Sequence, residues 1–465
     1  MFSLLPGMEN HFAEIATHLV FQLAIILVAA KLGGELCDRF LKIPPVLGEL
    51  VVGIIIGPYA LGGLSAFGLQ PLFELNTHSD GGFPLSQELF AVSQIAAIVL
   101  LFAAGLETDL KQFLRYAGPA SGVAIGGVLV PFIFGVGATF FFKPGGLAGD
   151  QLMYSALFVG AVMTATSVGI TARVLSDLKQ LDSSEGVTVL AAAVVDDVMG
   201  ILVLTVVVGM ASPDGAFSLS NVVSTGIKAL GFWIALMVGG ILCSKYISMA
   251  FLSFRGTGAP LALAMALAFV ASGLAESFGL AMIIGAYSIG LAISGTNLAR
   301  NIEESVMSIY HVFVPIFFVV MGMMVDVTAM KSVITFGIVL SILAIISKVA
   351  GSGLPALAVG FNKRGAWRIG IGMLPRGEVA LIISGIGLSR GIIGPDIFGV
   401  AIMMTVITTL LAPIILVPAF KMEGRGLDRS AAPVAQGIEH WPPKPGAWVR
   451  IPPGVPESVR IYLNT

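Results

Sequence analysis

The sequence predicts an all-α polytopic membrane protein with 13 transmembrane helices. Composition is the first ground: of 465 residues, 56% are hydrophobic and 11% charged, where soluble domains carry about 25% charged residues. The second is that apolar runs of about 20 residues, enough to span a hydrocarbon core of about 30 Å, recur from end to end. The third is an alternation of basic residues between successive loops. A closed β-barrel would show alternating segments of about 10 residues instead.

The spans are expected at 13–34, 43–62, 88–106, 119–142, 151–175, 185–209, 222–244, 258–276, 279–296, 307–327, 332–360, 365–388 and 395–420. The first has no basic residue before it and no small-residue cleavage site, so it reads as a span and not a signal peptide. Pro44–Pro45 and "GIIIGPY" bracket the second, where Glu49 faces either the core or the interface. Loops on one side carry Lys31, Arg39, Lys42, Lys111, Arg115, Arg173, Lys179, Lys245, Arg255, Arg300, Lys363, Arg364, Arg368, Lys421, Arg425 and Arg429, 16 in all. Loops on the other side hold Lys143, Lys331 and Arg390. The positive-inside rule then puts the amino terminus outside and residues from 421 onward in the cytoplasm.

Two halves of the chain echo each other. "LFAAGLETDL" (101–110) resembles "FFVVMGMMVDV" (317–327), matching Gly105 and Asp109 to Gly322 and Asp326. A similar offset aligns the fourth to sixth spans with the eleventh to thirteenth. Matched spans are seven apart, an odd number, so the repeats are inverted relative to one another. Inverted repeats build many secondary transporters, whose ion site lies near the midplane where the repeats meet.

Few charges remain at membrane depth, and each costs at least about 2.5–3.5 kcal/mol there, which makes a function the default reading. Asp196 and Asp197 stand together in "VTVLAAAVVDDVMGILVLTVVVG" (187–209). On a helix they point about 100° apart, so both reach one cavity while facing different partners. Burial and mutual repulsion raise the affinity of such a pair for protons, and it titrates as a unit. It holds protons, or sheds them and takes a hard cation through its oxygens, but not both. Lys348, deep in the eleventh span, needs a carboxylate partner, and the aspartates are the supply; the plainer alternative is snorkelling to the interface.

Two segments read as interrupted helices. "GAVMTATSVGITARV" (160–174) sets Thr164, Thr166 and Ser167 beside glycines, and "GMLPRGEVALII" (372–383) sets Pro375 before Arg376, Gly377 and Glu378. Broken helices free backbone groups that are tolerated only where they line a cavity or are neutralised. Glu378 can face a half-helix amino end, and the hydroxyls and freed carbonyls can coordinate a cation. A proline kink or loop end is the plainer account of the second segment. No cofactor is expected: the glycine runs form neither GxGxxG nor GxxxxGK after a strand, and Cys37 and Cys243 offer no metal spacing. Nor is an enzyme expected. An intramembrane aspartyl protease needs its two aspartates on facing helices, which neighbours on one helix cannot supply.

"IPPVLGELVVGIIIGPYALG" (43–62), "TATSVGITARVL" (164–175), "AAAVVDDVMGILVL" (191–204), "SKVAG" (347–351) and "RGEVALIISGIGLSRG" (376–391) together resemble the monovalent cation:proton antiporters, in the Kef/NapA-like branch of the sodium/proton exchanger superfamily. The resemblance covers roughly residues 13–420. It implies an inverted-repeat antiporter fold with two crossed broken helices, a homodimer, and a core domain that moves like an elevator. It also implies Asp197 as main cation and proton carboxylate, Asp196 as the partner of Lys348, and Thr166 and Ser167 near the ion, with Glu378 and Arg376 compensating charge. The two-aspartate pattern resembles electrogenic exchange of two protons per sodium ion. Potassium-specific relatives usually replace one aspartate and carry a long nucleotide-binding domain, so sodium is expected ahead of potassium or lithium. A potassium/proton antiporter or channel-like efflux protein is the alternative. The expected site is the cell membrane, or thylakoids in a photosynthetic cell. Residues 421–465 change character after Ala431, with several prolines and two tryptophans, and are expected to form a disordered cytoplasmic tail without a transport role.

Overall fold

The computed structural model describes residues 6–41, 44–64, 71–75, 85–211, 219–326, 334–389, 391–422, 424 and 426–427. The proline-rich segment from Ala431 lies outside them. Fifteen α-helices follow in order: α1 (Pro6–Leu36), α2 (Pro45–Ile56), α3 (Gln87–Glu107), α4 (Leu110–Phe142), α5 (Gly149–Thr164), α6 (Val168–Asp177), α7 (Ser184–Ala211) and α8 (Leu219–Leu252). The rest are α9 (Ala259–Ser277), α10 (Met282–Ile293), α11 (Asn297–Met323), α12 (Ile334–Ala358), α13 (Lys363–Gly372), α14 (Glu378–Ser389) and α15 (Pro395–Lys421).

Among the described residues, 11 helical stretches are long and apolar enough to cross a membrane, with α5 and α6 together forming one of them, Gly149–Asp177. The two remaining expected spans are shorter than a bilayer-spanning helix. α10 has 12 residues, about 18 Å at 1.5 Å per residue. The twelfth expected span is cut between α13 and α14 by a non-helical stretch at 373–377. Asp109, singled out in the repeat motif, caps α4 by accepting from the Lys111 and Gln112 amides at 2.7 and 3.1 Å.

Packing sorts the helices into two groups. α4, α5, α7, α12, α13, α14 and α15 pack chiefly on one another, whereas α1, α2, α3, α9, α10 and α11 form a second set. Each has its own apolar core. Phe158, Val162, Leu340, Ile383 and Met404 belong to the first; Ile26, Leu89, Ile316, Val319 and Met323 belong to the second. α6 continues α5 from the first group and reaches across to α2 and α3 of the second.

The inverted repeat extends one helix further than the sequence offset suggests. A side chain added at Gly53 of α2 would meet the Gly322 Cα of α11 at 3.0 Å, and one at Gly105 of α3 would meet the Gly290 Cα of α10, also at 3.0 Å. The two crossings are counterparts: α2 and α10 each have 12 residues and carry the glycine at their ninth position. Sequence alone did not align α2 with α10 because glycine in an apolar run is too common a match.

Candidate functional site

The two breaks lie against each other and satisfy each other's backbone. The Ser167 amide donates to Pro375 O at 2.7 Å, Thr171 Oγ1 to Gly372 O at 2.6 Å and Thr166 Oγ1 to Met373 O at 3.4 Å. In return Arg376 Nη1 donates to Ala165 O at 2.6 Å, and Thr409 of α15 donates to Arg376 O. Each group left unpaired at this depth would cost several kcal/mol. The interrupted segments are therefore a built junction and not a simple proline kink.

Asp196 and Asp197 occupy the middle of α7. Lys348 of α12 is fully buried, and its Nζ lies 2.9 Å from Asp196 Oδ1. The same ammonium donates to Gly127 O of α4 at 2.8 Å and to Thr164 O at 2.7 Å. All three of its protons are thereby engaged inside the protein, and the side chain does not reach its surface. Thr164 ends α5, and Ala165 follows it, so Lys348 and Arg376 both complement the negative carboxyl end of that half-helix. The Thr166 hydroxyl is also within hydrogen-bonding reach of Asp196.

Asp197 faces differently. It lines an open cavity of about 410 Å³, together with Phe90, Gln94, Leu204 and Val379. The rim includes the exposed Glu276 and Gly279. One aspartate is thus tied to a lysine and sealed, while its neighbour, 9% exposed, borders an open cavity. A second, smaller pocket on the far side of Asp197 is walled by Leu101, Val168, Leu190, Ile284 and Tyr287. Ser167 borders neither space; with Arg376, Thr405 and Thr409 it lines a separate apolar cavity between the two helix groups. Glu378 opens α14, and its side chain lies outside the described residues.

Two residues counted as loop charges are corrected by the structure. Arg173 and Arg368 are each only 7% exposed. Arg368 bonds Glu185 Oε1 at 2.7 Å, Ala419 O at 3.0 Å and Met422 O at 2.6 Å. Arg173 meets Glu49, Asp177 and the Tyr310 ring, and Glu49, 2% exposed, faces the core. Both arginines fall inside the spans read from hydropathy, 151–175 and 365–388, and that position was the available signal. Thr171, Thr409 and the Gly127 carbonyl were missed as well; nothing local distinguishes them from packing residues.

With this geometry in view, the sodium/hydrogen exchanger transmembrane family matches residues 23–422. The chain belongs to that family. It is 34% identical over 435 residues to the high-affinity Na(+)/H(+) antiporter NhaS3 of Synechocystis sp., covering 89% of this chain and 91% of that protein. It is 33% identical over 411 residues to the Na(+)/H(+)-K(+) antiporter GerN of Bacillus cereus, covering 88% and 98%. The fold of this family member also resembles the sodium proton antiporter MjNhaP1 of Methanocaldococcus jannaschii. That match has a TM-score of 0.60 at 21% identity and covers 88% of this chain and 99% of that one.

Proposed function

We propose that this family member is a secondary antiporter that exchanges sodium for protons across a cell membrane by alternating access. The observation that carries the reading is the division of labour within the aspartate pair. Asp196 is held by Lys348 and sealed from solvent, and Asp197 borders an open cavity. Asp197 is the carboxylate that takes either a proton or the cation, with the Thr166 hydroxyl as a further oxygen ligand. Asp196 and Lys348 form a second, linked proton site: the pair separates when the cation draws on both aspartates. Arg376 balances the carboxyl end of the α5 half-helix, and Glu378 keeps the charge-compensating role that the family resemblance implies. The family membership and the likeness to the antiporters NhaS3 and GerN support the same ion pair.

The remaining assignments rest on sequence and family. The positive-inside pattern puts the amino terminus and the large cavity outside and residues after 421 in the cytoplasm. A homodimer through the second helix group follows the family resemblance. Potassium is the second reading of the cargo, favoured by the GerN name, which includes that ion.

The test is exchange in proteoliposomes under an imposed pH gradient. Asp197→Asn is expected to abolish sodium-driven proton movement. Wild-type exchange by that variant across the whole pH range would overturn the assignment. Replacing sodium with potassium in the same vesicles decides the cargo.

A further inference from the structure

The cavity at Asp197 enters beside Phe90 and Gln94, near the first turns of α3. At the last turn of the same helix, about 20 Å away at 1.5 Å per residue, a polar layer joins the two helix groups. Arg173 on α6 is its hub. Its Nε lies 3.1 Å from Asp177 Oδ2, its Nη2 4.0 Å from Glu49 Oε1 of α2, and its Cζ 5.1 Å from the Tyr310 ring centroid of α11. One turn on, Ser176 Oγ donates to Glu107 Oε2 at the end of α3, at 3.1 Å. Between this layer and Asp197 lies the small pocket closed by apolar side chains.

α6 moves with the broken helices, whereas Glu49, Glu107 and Tyr310 sit on the other group. Every contact but the Arg173–Asp177 pair therefore crosses the plane along which the groups must slide if the site is to face the second side. The Arg173–Glu49 pair is also loose. At 4.0 Å it leaves Arg173 Nη1 and Glu49 Oε2 buried without hydrogen-bond partners. A saturated buried pair would resist separation, and one that is half satisfied in this state gives up less when it parts and its groups are rehydrated.

We propose that Arg173, with Glu49 and Glu107, is a latch that closes the face opposite the cavity, and that its release lets the site reorient. The inference rests on the alternating-access reading above and adds the contacts that hold one of its two states. None of these residues touches the ion; their role is positional.

Labelling of detergent-solubilised protein tests it without transport. In a Cys37→Ser, Cys243→Ser background, Leu204→Cys reports the open cavity and Leu190→Cys reports the sealed pocket. Neutralising the latch with Arg173→Gln is expected to slow maleimide labelling at position 204 and speed it at 190, each by at least about threefold as the populations shift. Arg173→Lys, which keeps the charge, is expected to restore much of the parent pattern. Should Arg173→Gln fail to fold, Ser176→Ala and Glu107→Gln are read in the same way. Unchanged labelling at both positions in the folded latch variants would overturn the proposal. A labelling shift alongside exchange that survives Asp197→Asn would instead retain the latch and sink the assignment of Asp197.

Discussion

Lys348 holds Asp196 at 2.9 Å while its remaining protons go to two backbone carbonyls, Gly127 O and Thr164 O. Removing the lysine strands a buried carboxylate and two acceptors at once. Breaking a buried pair from one side costs about 3–5 kcal/mol. Lys348→Gln is therefore expected to lower the melting temperature clearly and to reduce charge movement per cycle more than it reduces cation binding. The double variant Lys348→Gln, Asp196→Asn is expected to recover part of the lost stability, because no uncompensated charge remains. Thermal melts and electrometry on supported membranes check both, and unchanged melting with unchanged charge movement would refute the arrangement.

Competition at Asp197 sets a direction for pH dependence. Protons and sodium claim the same carboxylate, so acidification must raise the sodium concentration needed for half-maximal exchange. Where one competing proton is bound, the apparent affinity is expected to fall by up to about tenfold per pH unit, and more steeply if the linked Asp196 site also protonates. Sodium titrations of proton flux at several pH values give the slope. A half-saturating sodium concentration indifferent to pH would mean that proton and cation do not share the site.

Much of this arrangement was legible in the sequence because the membrane makes charge expensive. Asp196, Asp197, Lys348 and Arg376 stand out in apolar runs, and the two helix breaks are announced by threonines, glycines and Pro375. Partner choice was less legible. The residue pattern alone left Lys348 free to meet either aspartate, since 100° of helix rotation separates them and only tertiary packing fixes which one faces α12. Arg173 and Arg368 were misplaced for the opposite reason. Near span ends an arginine serves the positive-inside count equally well whether it snorkels or turns inward, and the carboxylates that meet them from other helices, Glu49 and Glu185, are far away in sequence. The α2–α10 correspondence was hidden because its signature is backbone approach, which needs only glycine.

Arg376 is the second test of the junction. Its Nη1 proton on Ala165 O closes the carboxyl end of α5, and a hydrogen bond from a charged group contributes about 1.5–3 kcal/mol. Arg376→Ala is expected to lose at least that much stability and to depress exchange by disordering Ala165 and Thr166 beside the aspartates. Arg376→Lys is expected to recover part of the stability, since an ammonium still complements the half-helix dipole. Denaturation in mild detergent, read beside flux, separates the two effects.

The glycine crossings give a test of the inverted symmetry itself. At Gly105 an added Cβ would lie 2.5 Å from Tyr287 O and 2.8 Å from Leu291 N, both backbone atoms of α10 that cannot rotate away. At Gly53 it would run into Val319 O of α11 and approach Val319 C at 2.9 Å. Overpacking of this kind typically costs about 1–3 kcal/mol when side chains can adjust, and here the obstacle is main chain. Gly53→Ala and Gly105→Ala are expected to destabilise the protein to a similar degree, because each forces apart one of two equivalent crossings between the repeats. Gly231→Ala on α8, where nothing lies within 4 Å of the added atom, is expected to be neutral or slightly stabilising, as alanine is favoured over glycine in a helix by up to about 1 kcal/mol. Equal melting temperatures for all three variants would show that the close approach is not maintained in the membrane.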